Sequence, residues 1–285
     1  MGGHSCSGSW RVNRKLALLP PDPQRRYPVI RYEVITLMPT SSTDISSPFQ
    51  TPSTWGLLLP IAVSALGLLM VAYLGYLLQE GYLPLVEISR FKLVNFTFTM
   101  QLCGVIVSLA GMLALFVFDH AAFRIFFRFR FRLSSPDDAA STWAMLGPAL
   151  LIIFSLGAIA MMSFNVTANN GTVNETFFLL LPLVLIFAAT NAWTEEILSR
   201  FILVAGLSGK LPSTTICWIS AVIFGFGHVR GTPSGVFGVI ITGTLGWLLA
   251  KSVIETKSLG WTLLIHFFMD VVIFGAGAMV LAGSV

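Results

Sequence analysis

Long apolar runs without a charged residue leave this chain only one kind of fold. Gly56 to Leu78 and Leu93 to Phe118 contain no Asp, Glu, Lys or Arg, and a third such run lies within Trp143 to Phe164. About 20 residues of this kind carry a helix across the hydrocarbon core of a bilayer. With 55% hydrophobic residues, 11% charged and a mean hydropathy of +0.82, the composition is that of a polytopic membrane protein and not of a soluble domain. The expected fold is all-α, a polytopic transmembrane helical bundle of seven or eight spans. The uncertain span is Thr176 to Ser208, which is longer than one straight crossing needs. Either Pro182 kinks it and its start protrudes, or it is two shorter helices.

Three regions follow. Residues 1–54 form a polar tail with six basic and three acidic residues and no sustained periodicity, expected to be poorly ordered. Leu16 to Leu19 is too short for the apolar core of a signal peptide. Met38 precedes a Ser/Thr-rich leader into the first span and is an expected alternative translation start. Residues 55–175 hold the N-terminal transmembrane helices and a basic interfacial connector, and residues 176–285 hold the remaining spans.

The connector between Asp119 and Asp138 interleaves Arg124, Arg128, Arg130 and Arg132 with Phe123, Phe126, Phe127, Phe129 and Phe131. Such interleaving can stack bases. Between two spans it instead suits a membrane interface, with phenylalanines in the acyl boundary and arginines on phosphates. Asp119 and His120 are expected to be wet, interfacial residues. The net charge of +4 is too diffuse to indicate nucleic acid. Cys6, Cys103 and Cys217 lie far apart with no CxxC, so neither a disulfide framework nor a cysteine zinc site is supported. Asn165 to Glu175 lacks Lys and Arg, which fits the outer side, and its sequons at Asn165, Asn170 and Asn174 have meaning only in a eukaryote.

Within Thr176 to Ser208 the chain places Glu195, Glu196 and Arg200. Ionisable groups at membrane depth are costly and call for a reason. Glu196 and Arg200 are one turn apart and can pair, which leaves Glu195, about 100° round the helix, free for another partner. Further on, Gly206-Leu-Ser208-Gly209 imitates a serine-protease motif, but Lys210, Leu211 and Pro212 make it a turn. Pro212 suits the first turn of the next helix, which runs to His228. Gly231, Gly235, Gly238, Gly243 and Gly246 permit close helix contact. The last helix carries His266 and Asp270 four apart on one face. Counted at about 1.5 Å per helical residue from the side holding the 209–212 turn, Glu195 lies roughly 21 Å deep, His228 roughly 24 Å, His266 roughly 14 Å and Asp270 roughly 20 Å. Four ionisable groups on three helices therefore fall in one layer about 10 Å thick. A shared polar cavity is the economical reading.

Glu-Glu-x-x-x-Arg at 195–200, Phe-x-x-x-His at 224–228 and His-x-x-x-Asp at 266–270, in that order, resemble the CPBP (CAAX protease and bacteriocin-processing, or Abi) intramembrane proteases, which include the type II CAAX prenyl endopeptidases. Lys257-Ser-Leu-Gly-Trp261 is similar to that family too, and the resemblance covers about residues 176–275. It implies a catalytic transmembrane core in which Glu195 and His228 activate a water, and His266 with the last motif position stabilises the oxyanion. The family commonly has Asn where this chain has Asp270. An ionised carboxylate cannot donate a hydrogen bond, so the role of Asp270 stays open.

Two other readings remain. Two histidines and a carboxylate are reasonable ligands for one divalent metal such as zinc, which makes a metalloprotease the near alternative, although HExxH is absent. A non-catalytic protein of the same fold, a bacteriocin immunity factor, scaffold or transporter, would use the buried charges to line a path or hold helices together. The expected partners are a membrane-associated protein or peptide substrate and the lipid bilayer, with no nucleic acid, in the plasma membrane.

Overall fold

The computed structural model describes residues 53–129 and 141–284. The expectations for residues 1–52, Met38 included, and for Arg130, Phe131, Arg132 and Asp138 lie outside them. Among the described residues the regular elements are helices. They are α1 (Thr54–Gln79), α2 (Lys92–Phe118), α3 (His120–Phe126), α4 (Ser141–Ala168), α5 (Glu175–Glu196), a π-helical turn (Ile197–Phe201), α6 (Ile202–Leu207), α7 (Ser213–Gly227), α8 (Gly235–Thr256) and α9 (Gly260–Gly283). Six helices are long and apolar enough to cross a membrane, with Glu175–Leu207 counted as one of 33 residues. The 15-residue α7 is the shorter apolar helix that completes seven passes.

The long span neither breaks at Pro182 nor divides there. Asn174 caps α5 by accepting from the Phe177 N–H at 3.2 Å, and the helix continues through Pro182 to Glu196. The departure comes later, in the π turn, where the Ile202 N–H bonds the Ile197 carbonyl. Wide turns of this kind occur mostly as single insertions in α-helices, often at functional sites. This one is buried along its whole length. Ile197, Leu198, Phe201, Leu203, Val204 and Leu207 have no exposed surface. A Cβ on Gly67 of α1 would lie 2.7 Å from the Leu198 side chain, and one on Gly111 of α2 would lie 2.7 Å from that of Ile202, so glycine is what lets both helices close on it. Leu66, Ile106, Ile153 and Leu179, by contrast, are exposed, as expected of helices whose outer faces meet lipid.

The turns that follow α2, α6 and α8 gather at one end. Lys210 Nζ lies 3.2 Å from Asp119 Oδ2, the Arg128 carbonyl accepts from Leu259 N–H at 2.8 Å and Ser258 Oγ at 3.0 Å, and Lys257 Nζ stands 4.8 Å over the Phe126 ring. At the other end the loop before α5 is tied to the end of α9, with Thr172 N–H bonding the Met279 carbonyl at 2.9 Å and Asn174 Nδ2 the Ala282 carbonyl at 2.9 Å. The connector differs from its expected division between protein and lipid. Phe126 is buried, and Phe123 packs edge-to-face and Phe127 tilted against Phe201 of the π turn, with centroids 5.3 and 5.5 Å apart. Asp119 caps α3 through the Ala122 N–H as well as pairing with Lys210.

Arg124, Arg128, Lys210, Lys251 and Lys257 all belong to the first end, whereas Arg90, Lys92 and Arg230 belong to the other. The positive-inside rule therefore predicts that the 209–212 end is cytoplasmic. Seven passes then put the C-terminus outside. A reporter fused after Val285 is expected to be external, and a cytoplasmic reporter would reject seven passes in favour of eight.

Candidate active site

Consecutive on α5 and about 100° apart, Glu195 and Glu196 enter different surroundings. Glu196 is fully buried, pairs with Arg200 Nη1 at 2.9 Å and accepts two hydrogen bonds, from His266 Nδ1 at 2.6 Å and from the Thr262 hydroxyl. The ion pair expected from the spacing is formed. Arg200 Nη1 also reaches Ser199 Oγ at 2.6 Å, and its guanidinium carbon lies 3.7 Å over the Phe224 ring. Its Nε and Nη2 find no hydrogen-bond acceptor among the described residues, so the ring face covers the remainder of the charge. Desolvated cation–π contacts of this sort contribute about 2 kcal/mol.

Phe224 also explains the spacing to His228. Its carbonyl oxygen lies 3.0 Å from His228 Nδ1. A carbonyl only accepts, so Nδ1 carries the proton and Nε2 is left facing the site. Helix α7 ends at Gly227, with His228 just beyond as its cap. Pro212 likewise precedes α7 and does not start its first turn. A Cβ on Gly225 would sit 2.7 Å from the Val239 carbonyl, so α8 can approach closely beside the motif. His266 is held in the same manner, with Nδ1 donating to the carboxylate of Glu196 and Nε2 pointing away from it.

Both Nε2 atoms face Glu195. Its Oε2 lies 3.5 Å from His266 Nε2 and 3.9 Å from His228 Nε2, and has no hydrogen-bond partner among the described residues. Asp270 Oδ2 stands 3.6 Å from His266 Nε2. The four groups placed in one layer by helical rise thus meet in one cluster. His266 and Asp270 are buried, while the Glu195 and His228 side chains keep 22% and 17% of their surface exposed. Glu195 and His228 are therefore the less buried pair of the cluster, although Glu195 Oε2 itself is buried. Among the described residues no group of three or more His, Cys, Asp or Glu is arranged to hold a metal ion.

Several participants went unnoticed in the sequence. Asn191 Nδ2 donates to Glu195 Oε1 at 3.2 Å and to Asp270 Oδ2 at 3.1 Å, and Gln101 Nε2 of α2 donates to Asn191 Oδ1 at 3.3 Å. Thr262 bonds Glu196, and Ser220 Oγ of α7 bonds the Ser199 carbonyl within the π turn at 3.1 Å. Asn191 precedes Glu195 by four residues and Thr262 precedes His266 by four. That same-face spacing is the signal that could have found them.

Residues 177–272 match the family model for Type II CAAX prenyl endopeptidase Rce1-like proteins. No curated protein and no solved structure matches the chain. A multi-pass helical membrane protein with a buried carboxylate–imidazole cluster is the class that fold and site define. The matched segment is similar to that family and contains Glu195, Glu196, Arg200, His228, His266 and Asp270. The resemblance read from the three motifs is to the same group of proteins.

Proposed function

We propose that this protein is an intramembrane endopeptidase that hydrolyses peptide bonds of membrane-associated substrates with a water activated by Glu195 and His228. The observation that carries this reading is Glu195 Oε2, a carboxylate oxygen without a donor among the described residues and flanked by two imidazole Nε2 atoms whose Nδ1 sides are occupied elsewhere. At 3.9 Å the oxygen and His228 Nε2 are too far apart to bond directly, and one water between them satisfies both. Such a water donates one proton to each group and presents its lone pair to a substrate carbonyl.

On attack, the new C–O bond forms as the water proton passes to Glu195, and the carbonyl oxygen takes up negative charge. His266, whose Nδ1–H is held by Glu196, offers Nε2–H to that oxygen when doubly protonated. Glu195 then gives its proton to the leaving amine as the C–N bond breaks, which balances the hydrolysis without a covalent intermediate. Ser208 plays no part, since it lies in the turn after α6. The name of the matching family suggests proteins that end in a prenylated CAAX sequence as substrates, and the plasma membrane remains the expected location.

The test is substrate trapping. Membranes expressing Glu195→Gln are expected to retain, bound to the variant, proteins that the wild type cleaves, and purified wild type in liposomes is expected to cleave a prenylated CAAX peptide. Identical membrane proteomes for the two proteins, together with an uncleaved peptide, would overturn the protease reading and leave a scaffold or transporter.

A further inference from the structure

Asn191 and Gln101 lie outside the three motifs, and Gln101 lies outside the family match altogether, yet they complete the surroundings of Glu195. A carboxamide can donate through Nδ2 and accept through Oδ1. With Gln101 Nε2 at 3.3 Å on one side and two carboxylates at 3.2 and 3.1 Å on the other, only one orientation of the Asn191 amide satisfies every neighbour. Oδ1 faces Gln101, and Nδ2 faces Glu195 Oε1 and Asp270 Oδ2. One amide thus bridges two carboxylates that would otherwise repel, and it takes the oxygen of Glu195 that is not aimed at the histidines.

We infer that Asn191, fixed by Gln101, is a positioning residue that sets the rotamer of Glu195 and keeps Oε2 directed at His228 Nε2 and His266 Nε2. The inference rests on the reading of Glu195 as the general base. Without the amide, the Glu195 side chain is free to turn and Asp270 loses its donor. The chain of contacts runs α2–α5–α9, so a helix outside the matched domain reaches the chemistry through a single side chain.

The experiment measures kcat and KM separately on a prenylated CAAX peptide with each protein in liposomes, using Glu195→Gln as reference. Asn191→Ala is expected to lower kcat by about 10- to 100-fold, the scale of a misplaced catalytic group, with KM little changed. Gln101→Leu removes one neutral hydrogen bond and is expected to lower kcat by roughly 3- to 10-fold with the same split. Gln101 is only partly buried on a membrane helix, so leucine there is compatible with folding and decides the matter if Asn191→Ala does not fold. Unchanged kcat in the folded variants, beside an inactive Glu195→Gln, overturns the positioning role and leaves the active-site reading intact. So does a loss confined to KM. Full activity in Glu195→Gln overturns the active-site reading itself.

Discussion

Glu195→Gln is expected to give a folded, monodisperse protein whose turnover falls by about 10²- to 10⁴-fold, whereas Glu196→Gln is expected to give little folded protein at all. The two glutamates are neighbours with the same chemistry, and only their surroundings separate the outcomes. The Glu195 side chain is partly exposed, its Oε2 has no donor among the described residues, and glutamine keeps an oxygen that can accept from Asn191. Removing its charge deletes the base but strands no other charge. Glu196 is the acceptor for Arg200, His266 and Thr262, all buried. Glutamine there leaves the Arg200 guanidinium without a counter-charge in an apolar layer, where breaking one side of a buried pair costs about 3–5 kcal/mol. Arg200→Ala is expected to fail similarly, and with it the cover over Phe224. Yield, size-exclusion profile and turnover, measured for the three variants side by side, check both halves. A well-folded Glu196→Gln protein would show that the pair is dispensable, and a fully active Glu195→Gln protein would remove Glu195 from the chemistry.

Asp270→Ala is the second variant with a large expected effect, a loss of turnover on the order of 10²- to 10³-fold if this position serves the oxyanion. Alanine takes away the acceptor for Asn191 and the neighbour of His266 Nε2 together. Asp270→Asn should behave differently. Its Oδ1 can still accept from Asn191 Nδ2, and its Nδ2 supplies the donor that an ionised aspartate lacks. A metal-free oxyanion role therefore predicts activity retained or improved in Asp270→Asn. A metal-ligand role predicts severe loss in both variants, matched by loss of bound metal and by chelator sensitivity of the wild type. Turnover and metal content of the same preparations distinguish the two.

The parts of the site legible in sequence were those set by helical rise and spacing. Depth along each span placed Glu195, His228, His266 and Asp270 together, and the four-residue interval predicted the Glu196–Arg200 pair. What stayed hidden depends on how helices are rotated against one another. Spacing puts Asp270 one turn from His266, but it could not show that α9 is turned so that His266 Nδ1 meets Glu196 on α5. Gln101 and Asn191 are 90 residues apart, so no local interval joins them. The all-helical bundle of seven or eight spans was within reach, but the wide turn at Ile197 was not. Ile-Leu-Ser-Arg-Phe has no Gly or Pro to mark a change, and the extra residue is accommodated by tertiary contacts, among them the Ser220 hydroxyl on the Ser199 carbonyl.

That wide turn gives the long helix two angular phases. Upstream of it the polar positions Asn191, Glu195 and Glu196 are aimed at α2, α9 and the end of α7. Downstream, Ile202 to Leu207 are enclosed on every side and anchor the segment rotationally. Deleting one residue between Ile197 and Phe201 would restore an ordinary α-helical repeat and swing everything upstream by about 100° relative to that anchor. The carboxylates would leave their partners although none had been replaced. The length of this turn, as distinct from the identity of its side chains, is thus a determinant of the site, and a one-residue insertion or deletion here acts like the loss of several site residues at once.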